Sequence, residues 1–365
     1  IESLPYLESI SQLKWEMDNN AIVVHLTYVP YLAAAGELKT KPTQHSVKDL
    51  LQQGVQPDII VCRTEHTLTE SVRDKISLFC NIDRASVIES IDAPTIYEVP
   101  FNMLKEGLDI QVLKKLGISA KGEPDLEKWK SFLYKLKNPL TEVNIGLVGK
   151  YVELKDAYKS ISEAFIHAGA ATQCKVKLKW IHSEKIEDNP GMIEEELKGL
   201  NGILVAPGFG TRGIEGKIMA VRYARENNIP FLGICLGMQC AVIEFARNVL
   251  GYKDAHSVEM MASTKHPVID MMEEQKHLTN MGGTMRLGAY PCKLKAGTKI
   301  MEAYQKELIS ERHRHRYEFN NAYLEEFEKA GMIATGVNPD TNLVEVVEIP
   351  SHPYFVGVQY HPEYR

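Results

Sequence analysis

The stretch Pro230-Phe-Leu-Gly-Ile-Cys-Leu-Gly-Met-Gln239 constrains this chain more than any other. Phe231 to Ile234 is an apolar run with the length and flanks of a buried strand, and Leu236 to Ala246 carries apolar residues at helical spacing. Between them Gly233-Ile-Cys-Leu-Gly237 is a G-x-C-x-G, the tight strand-to-helix turn of a nucleophile elbow with cysteine in place of serine. Its glycines make room for a side chain held in a strained position. The helix N-terminus brings partial positive charge to the sulfur, and a nearby histidine would take its proton. The plain alternative is a buried structural cysteine, the reading that suits Cys240.

The rest of the chain is ordinary in composition. It has 365 residues, 44% hydrophobic and 25% charged, which suits two or three domains with real cores. A net charge of −6 argues against a general nucleic-acid binder. The six cysteines are scattered, without C-x-x-C pairs or metal spacing, so neither a zinc site nor a disulfide framework is indicated. No apolar run is long enough to span a bilayer, and no signal-peptide pattern follows Ile1. The expectation is a cytoplasmic protein, with no membrane partner, whose N-terminal region lies outside this sequence.

Residues 1 to about 110 alternate helix and strand: helix 7–17, strand 21–29, helix 44–51, strand 57–62, helix 70–80, and a strand from Val87. This is the rhythm of a parallel α/β sheet. Within it, Lys39-Thr-Lys-Pro-Thr-Gln44 is a loop entering a helix, with cations, hydroxyls and amides that suit a triphosphate. A solvated charged loop is the alternative. Arg63 follows a strand, at the end where ligands of open α/β sheets gather. Asp125 to Leu136 has one apolar stripe (Leu126, Trp129, Phe132, Leu133, Leu136) and reads as a linker helix.

From Val143 a second α/β alternation begins: strand 143–148, helix 158–168, strand 175–180, helix 191–197, and a strand from Gly202 that ends in Ala206-Pro-Gly-Phe-Gly210. Gly149-Lys150 is not a P-loop, since the first glycine is missing and Tyr151 stands where Ser or Thr is needed. The glycine-rich loop suits an oxyanion hole beside the amide of Leu236, or is a plain tight turn. At the far end, Tyr354 to Tyr360 reads as a strand, followed by His361-Pro-Glu363. A period of two puts His361 and Glu363 on one side of an extended segment, so that Glu363 orients the imidazole serving Cys235.

These motifs resemble a known family. Gly233-Ile-Cys-Leu-Gly-Met-Gln239 with the later Gln359-Tyr-His-Pro-Glu363 is similar to class I, triad-type glutamine amidotransferases. Adding Lys39 to Gln44, Met281 to Gly288, Glu311-Arg-His-Arg-His-Arg-Tyr-Glu318 and the opening Ile1 to Pro5, the whole chain resembles the CTP synthases. The resemblance implies two domains, each a mainly parallel sheet flanked by helices. Residues 1–117 are the C-terminal part of a P-loop-type amidoligase domain, 118–142 the linker helix, and 143–365 a flavodoxin-like amidotransferase domain. It implies a C–N ligase of pyrimidine nucleotide synthesis. ATP and Mg2+ activate UTP, ammonia from glutamine is channelled between the domains, GTP activates allosterically and CTP inhibits. A homotetramer, with filaments possible, comes with it.

Residue by residue, the resemblance implies Cys235, His361 and Glu363 as the catalytic triad. It gives Gly208, Leu236, Gly237, Met238, Gln239, Glu259 and Arg316 as glutamine contacts, Glu259 meeting the ammonium and Arg316 the carboxylate. Arg312 and Arg314 read as solvated. UTP or CTP contacts are Ile1, Glu2, Lys39, Thr40, Lys41, Pro42, Thr43, Gln44 and Lys75; ATP contacts are Arg63 and Ala93. The family's metal ligands lie upstream of Ile1, so no metal site is expected here, and this stretch alone is not expected to make CTP. Two departures stand out. Ala206-Pro-Gly-Phe-Gly210 replaces the usual P-G-G-F-G, and since Pro207 has no N–H, Gly208 is the better oxyanion donor. Ala255-His-Ser-Val-Glu259 also varies around Glu259. A cysteine hydrolase or an amidotransferase of another pathway is the enzymatic alternative, which the Lys39 to Gln44 loop disfavours. A nucleotide-sensing scaffold with a dead site is the other, which the intact Cys235, His361 and Glu363 disfavour.

Overall fold

The computed structural model describes residues 3–119, 121–271 and 285–364. Ile1, Glu2 and Met281 to Thr284, named above, lie outside that set. The chain forms two compact units, Ile1–Leu133 and Tyr134–Arg365. The helix Glu127–Lys137, expected as a linker, spans this division. Among the described residues no helix is long and apolar enough to cross a membrane.

In the first unit, Val24–Tyr28, Ile59–Thr64 and Val87–Ile91 pair in parallel with Ile59–Thr64 in the middle. The middle strand is buried on both sides, as an all-parallel sheet requires. Ile60 and Cys62 pack with Val47 and Ile76 from the helices Lys41–Gln52 and Glu70–Cys80. Ile59 and Val61 face the other way, toward Met103, Leu108 and Val112. Thr69 caps the second of these helices by accepting the Val72 N–H at 3.4 Å. The expected first helix is present as Leu4–Met17 but has no buried residue.

The second unit is built on one mixed sheet of nine strands among the described residues. Five run parallel in the spatial order Cys174–His182, Thr141–Gly149, Gly202–Val205, Phe231–Ile234, Phe355–Val358. By chain position this is 2-1-3-4-5, the flavodoxin-like order. Four antiparallel strands extend it past Phe355–Val358: Val344–Glu348, Ile333–Val337, Arg286–Leu294 and Leu308–His315. The helices Ile214–Glu226 and Leu236–Asn248 cover one face through Ile218, Val221, Ala241 and Phe245. Helix Lys159–Thr172 contributes Ile161 to the other. Leu236 through Ala246 are all buried, so this helix is enclosed on every side.

The expected helix 191–197 begins as a 3-10 turn, Pro190–Met192, and is α-helical only over Ile193–Leu197. The strand expected through Tyr360 ends at Val358, and Pro362–Tyr364 is a 3-10 turn. His361 and Glu363 therefore do not lie along an extended segment, because proline at 362 fixes a turn-forming φ.

Candidate active site

Strands of a parallel sheet deliver their ligand-binding residues at their C-terminal ends. Here Gly149, Val205, Ile234 and Val358 end four neighbouring parallel strands, and Lys150, the loop 206–210, Cys235 and residues 359–363 follow them. Cys235 sits at φ 53° and ψ −103°, a left-handed backbone rarely held by a side-chain-bearing residue. Its N–H donates to the Val358 carbonyl at 2.7 Å, which pins the elbow to the adjacent strand. The glycines are required by close approach: a Cβ on Gly233 would lie 2.6 Å from the Gly237 backbone, and one on Gly237 2.1 Å from the Val205 carbonyl oxygen.

A cleft of about 450 Å³ opens over Cys235. Its lining includes Gly208, Phe209, Gln239, Glu259, Arg314 to Tyr317, His361 and Tyr364. His361 Nδ1 lies 2.8 Å from Glu363 Oε1, and the His361 N–H donates to the Arg312 carbonyl at 2.9 Å. Burial works against protonating this imidazole. Its interactions with Cys235 and Glu363 outweigh burial and push its pKa up to about 10. Its Nε2 is buried and makes no hydrogen bond of standard geometry, so imidazole and thiol are electrostatically coupled neighbours in the resting site.

The glutamine contacts divide into two groups. Gly208, Gln239, Glu259 and Arg316 line the cleft with Cys235 and His361. Leu236, Gly237 and Met238 do not line it. The side chains of Leu236 and Met238 are in the core and Gly237 lies against Val205, which leaves these residues only backbone to offer. Leu236 and Gly237 head their helix, where N–H groups have no carbonyl of their own helix to bond. Gln239 already donates to the Tyr317 carbonyl at 2.8 Å and to Gln359 Oε1 at 3.3 Å. Glu259 Oε1 accepts the Gly210 N–H at 3.2 Å, tying down the glycine-rich loop. Arg312 and Arg314 are exposed, as expected, and alternate with the buried His313 and His315.

Several residues of the site were not singled out by sequence. Gln359 donates from Nε2 to Cys235 Sγ at 3.7 Å and is fully buried. Lys150, dismissed as a phosphate ligand, is buried and donates to the Phe209 carbonyl at 2.6 Å. Lys217 is fully buried and donates to the Ala206 carbonyl at 2.7 Å. His315, which lines the cleft, has its Nε2 2.9 Å from Nδ1 of the buried His313, and Arg286 pairs with Glu345 at 2.7 Å. No spacing rule marks these residues in the sequence; in the structure His313 and His315 fall on the buried, alternating side of the strand Leu308–His315.

In the first unit, of the residues expected to hold nucleotides, Arg63 lies near the C-terminal end of the strand Ile59–Thr64, Ala93 just beyond Val87–Ile91, Lys39 to Gln44 between the strand Val24–Tyr28 and Ile59–Thr64, and Lys75 in the helix Glu70–Cys80. Thr40 precedes the helix Lys41–Gln52, Pro42 occupies its first turn, and Gln44 donates back to Thr40 Oγ1 at 3.0 Å. Lys41 is exposed, whereas Thr43 is buried and donates toward Thr27 Oγ1 at 3.2 Å, leaving it a bracing role. Lys39 pairs with Glu37, and Lys75 acts on the same carboxylate. Arg63 lies 3.3 Å from Asp92, next to Ala93. Among the described residues no three His, Cys, Asp or Glu side chains are arranged to hold a metal ion.

A cysteine elbow at the end of a central parallel strand, facing a carboxylate-held histidine, defines the second unit as a class I glutamine amidotransferase domain. Residues 153–365 match the model of that family, "Glutamine amidotransferase class-I", and residues 1–118 match "CTP synthase N-terminus". The chain belongs to the CTP synthase family, ligases that hydrolyse glutamine. It is 66% identical to the CTP synthase of Cytophaga hutchinsonii over 367 residues and 64% identical to that of Flavobacterium johnsoniae over 366. Each match covers 100% of this chain and 68% of the relative. The glutaminase domain of Trypanosoma brucei CTPS with bound acivicin is 40% identical, with a TM-score of 0.58, covering 61% of this chain and 87% of that one.

Proposed function

We propose that Cys235, His361 and Glu363 are the triad that hydrolyses glutamine in this family member. The observation that carries it is the strained Cys235 at the floor of a cleft shared with an imidazole held by Glu363. In this reading Glu259 meets the substrate's ammonium and Arg316 its carboxylate, which directs the side-chain amide toward the sulfur. The Cys235 thiolate attacks the amide carbon, and the carbonyl electrons move to oxygen, which accepts N–H bonds from Gly208 and Leu236. The His361 imidazolium gives its proton to the departing nitrogen. The C–N bond breaks, releasing ammonia and leaving a thioester on Cys235. Neutral His361 then takes a proton from water, whose oxygen attacks the thioester carbon. The C–S bond breaks and glutamate leaves.

The first unit is proposed to hold UTP or CTP through Lys39, Thr40, Lys41, Pro42, Thr43, Gln44 and Lys75, with Ile1 and Glu2, and ATP through Arg63 and Ala93. ATP with Mg2+ would activate the UTP 4-oxygen for displacement by ammonia, with GTP as activator and CTP as inhibitor, in a cytoplasmic homotetramer. Two experiments test this. The chain should release glutamate from glutamine and lose that activity in Cys235→Ala. UTP or CTP should raise its melting temperature and fail to do so in Lys75→Ala.

A further inference from the structure

Lys217 lies on the helix Ile214–Glu226 with no exposed surface. Burying an ammonium is costly, and the usual compensation is a carboxylate. Among the described residues none pairs with Lys217: its Nζ donates to the Ala206 carbonyl at 2.7 Å, and the titratable groups acting on it are Cys235, Cys240 and Lys150. Helix packing alone would be served as well by methionine.

The position of the ammonium supplies a reason for the cost. A Cβ on Gly208 would lie 3.7 Å from Lys217 Nζ and 3.4 Å from Leu236 Cδ2, so the charge sits beside the residue that donates to the reacting oxygen. Side chains fasten the loop 206–210 at Ala206 through Lys217, at Phe209 through Lys150 and at Gly210 through Glu259, and the Ala206 N–H also donates to the Val148 carbonyl at 3.0 Å. Pro207 has no N–H with which to be fastened. The Ala206 carbonyl thus anchors the start of the loop that carries Gly208.

We propose that Lys217 is a positioning residue for glutamine hydrolysis: it anchors the Ala206 carbonyl at the base of the loop that carries Gly208 and places a positive charge beside Gly208, where the oxyanion forms. This rests on the Cys235 reading above and deepens it. Burial pulls the Lys217 pKa down to about 8.

The test is steady-state glutamate release by the chain, with Cys235→Ala as reference. Lys217→Met is expected to lower kcat on the order of 100-fold, the size of losing an oxyanion donor. KM should change less than about threefold, because Glu259 and Arg316 hold the amino-acid end. Melting temperature should hold or rise, since an apolar side chain replaces a buried charge. Lys217→Arg should retain more activity than Lys217→Met. Should Lys217→Met not fold, Lys217→Gln keeps a donor without the charge and is expected to lose at least about tenfold in kcat. A kcat within twofold of the unaltered chain in either folded variant overturns the proposal while leaving Cys235 in place. A fall in melting temperature with kcat and KM moving together assigns Lys217 to structure alone. Undiminished activity in Cys235→Ala overturns the triad reading itself.

Discussion

His361 Nδ1 and Glu363 Oε1 are 2.8 Å apart across a single 3-10 turn, so the orienting carboxylate and the base arrive on one short, rigid segment. A hydrogen bond at Nδ1 fixes the tautomer that leaves Nε2 for the sulfur.

Glu363→Gln removes the charge on that bond. Glu363 is one of the groups holding the His361 pKa near 10 against burial, so its loss lets that pKa fall. The alkaline limb of kcat/KM for glutamine hydrolysis should move to lower pH, and kcat should drop about 100-fold. An unmoved limb would deny Glu363 this role.

Arg316→Ala should raise KM for glutamine about 10- to 100-fold, the loss of a hydrogen-bonded charge, with kcat less affected. Equal losses in kcat and kcat/KM would place Arg316 in the transition state instead.

Gly237→Ala tests the elbow's packing. Its new methyl would meet the Val205 carbonyl oxygen at 2.1 Å, and backbone cannot step aside as a side chain can. Destabilisation of about 2 kcal/mol or more is expected, lowering the melting temperature by about 5 °C. A melting temperature within about 1 °C of the unaltered chain would contradict the close approach.

His315→Asn tests the buried histidines through acid stability. Burial, with Arg286 nearby, pulls His313 down to about 2 and His315 to about 3. Below about pH 6.5 the unfolded chain binds protons at these sites and the folded chain does not, so stability is lost as pH falls toward those values. Glu345, raised to about 7 by burial, works the other way between about pH 4.5 and 7, but it is one group against two. The fall in melting temperature from pH 6.5 to 5 should be smaller in His315→Asn. An unchanged slope would mean that His315 is not a neutral buried group.

The elbow was legible because its chemistry is local: two glycines, a cysteine and a helix start occupy five consecutive residues. The α/β alternation was legible for the same reason, since each parallel strand is a short apolar run bounded by turns. The His361–Glu363 pair was legible as residue types but not as geometry, because Pro362 turns a chain that periodicity would extend. The antiparallel half of the sheet was not foreseen: strand Leu308–His315 alternates Arg, His and Glu, so its buried face is polar and lacks the apolar signal of a strand. Lys150 and Gln359 were missed because each acts on a residue far away in sequence, and Lys217 because a buried lysine bound to a carbonyl looks, in sequence, like any surface lysine.

The most direct test of the central claim is mass mapping of the chain after exposure to a glutamine analogue carrying an electrophilic carbon in place of the amide. The account predicts one adduct, on Cys235, suppressed by excess glutamine and absent from Cys235→Ala, whose glutamate release is also lost. An adduct on another of the six cysteines, or glutamate release undiminished in Cys235→Ala, would contradict it.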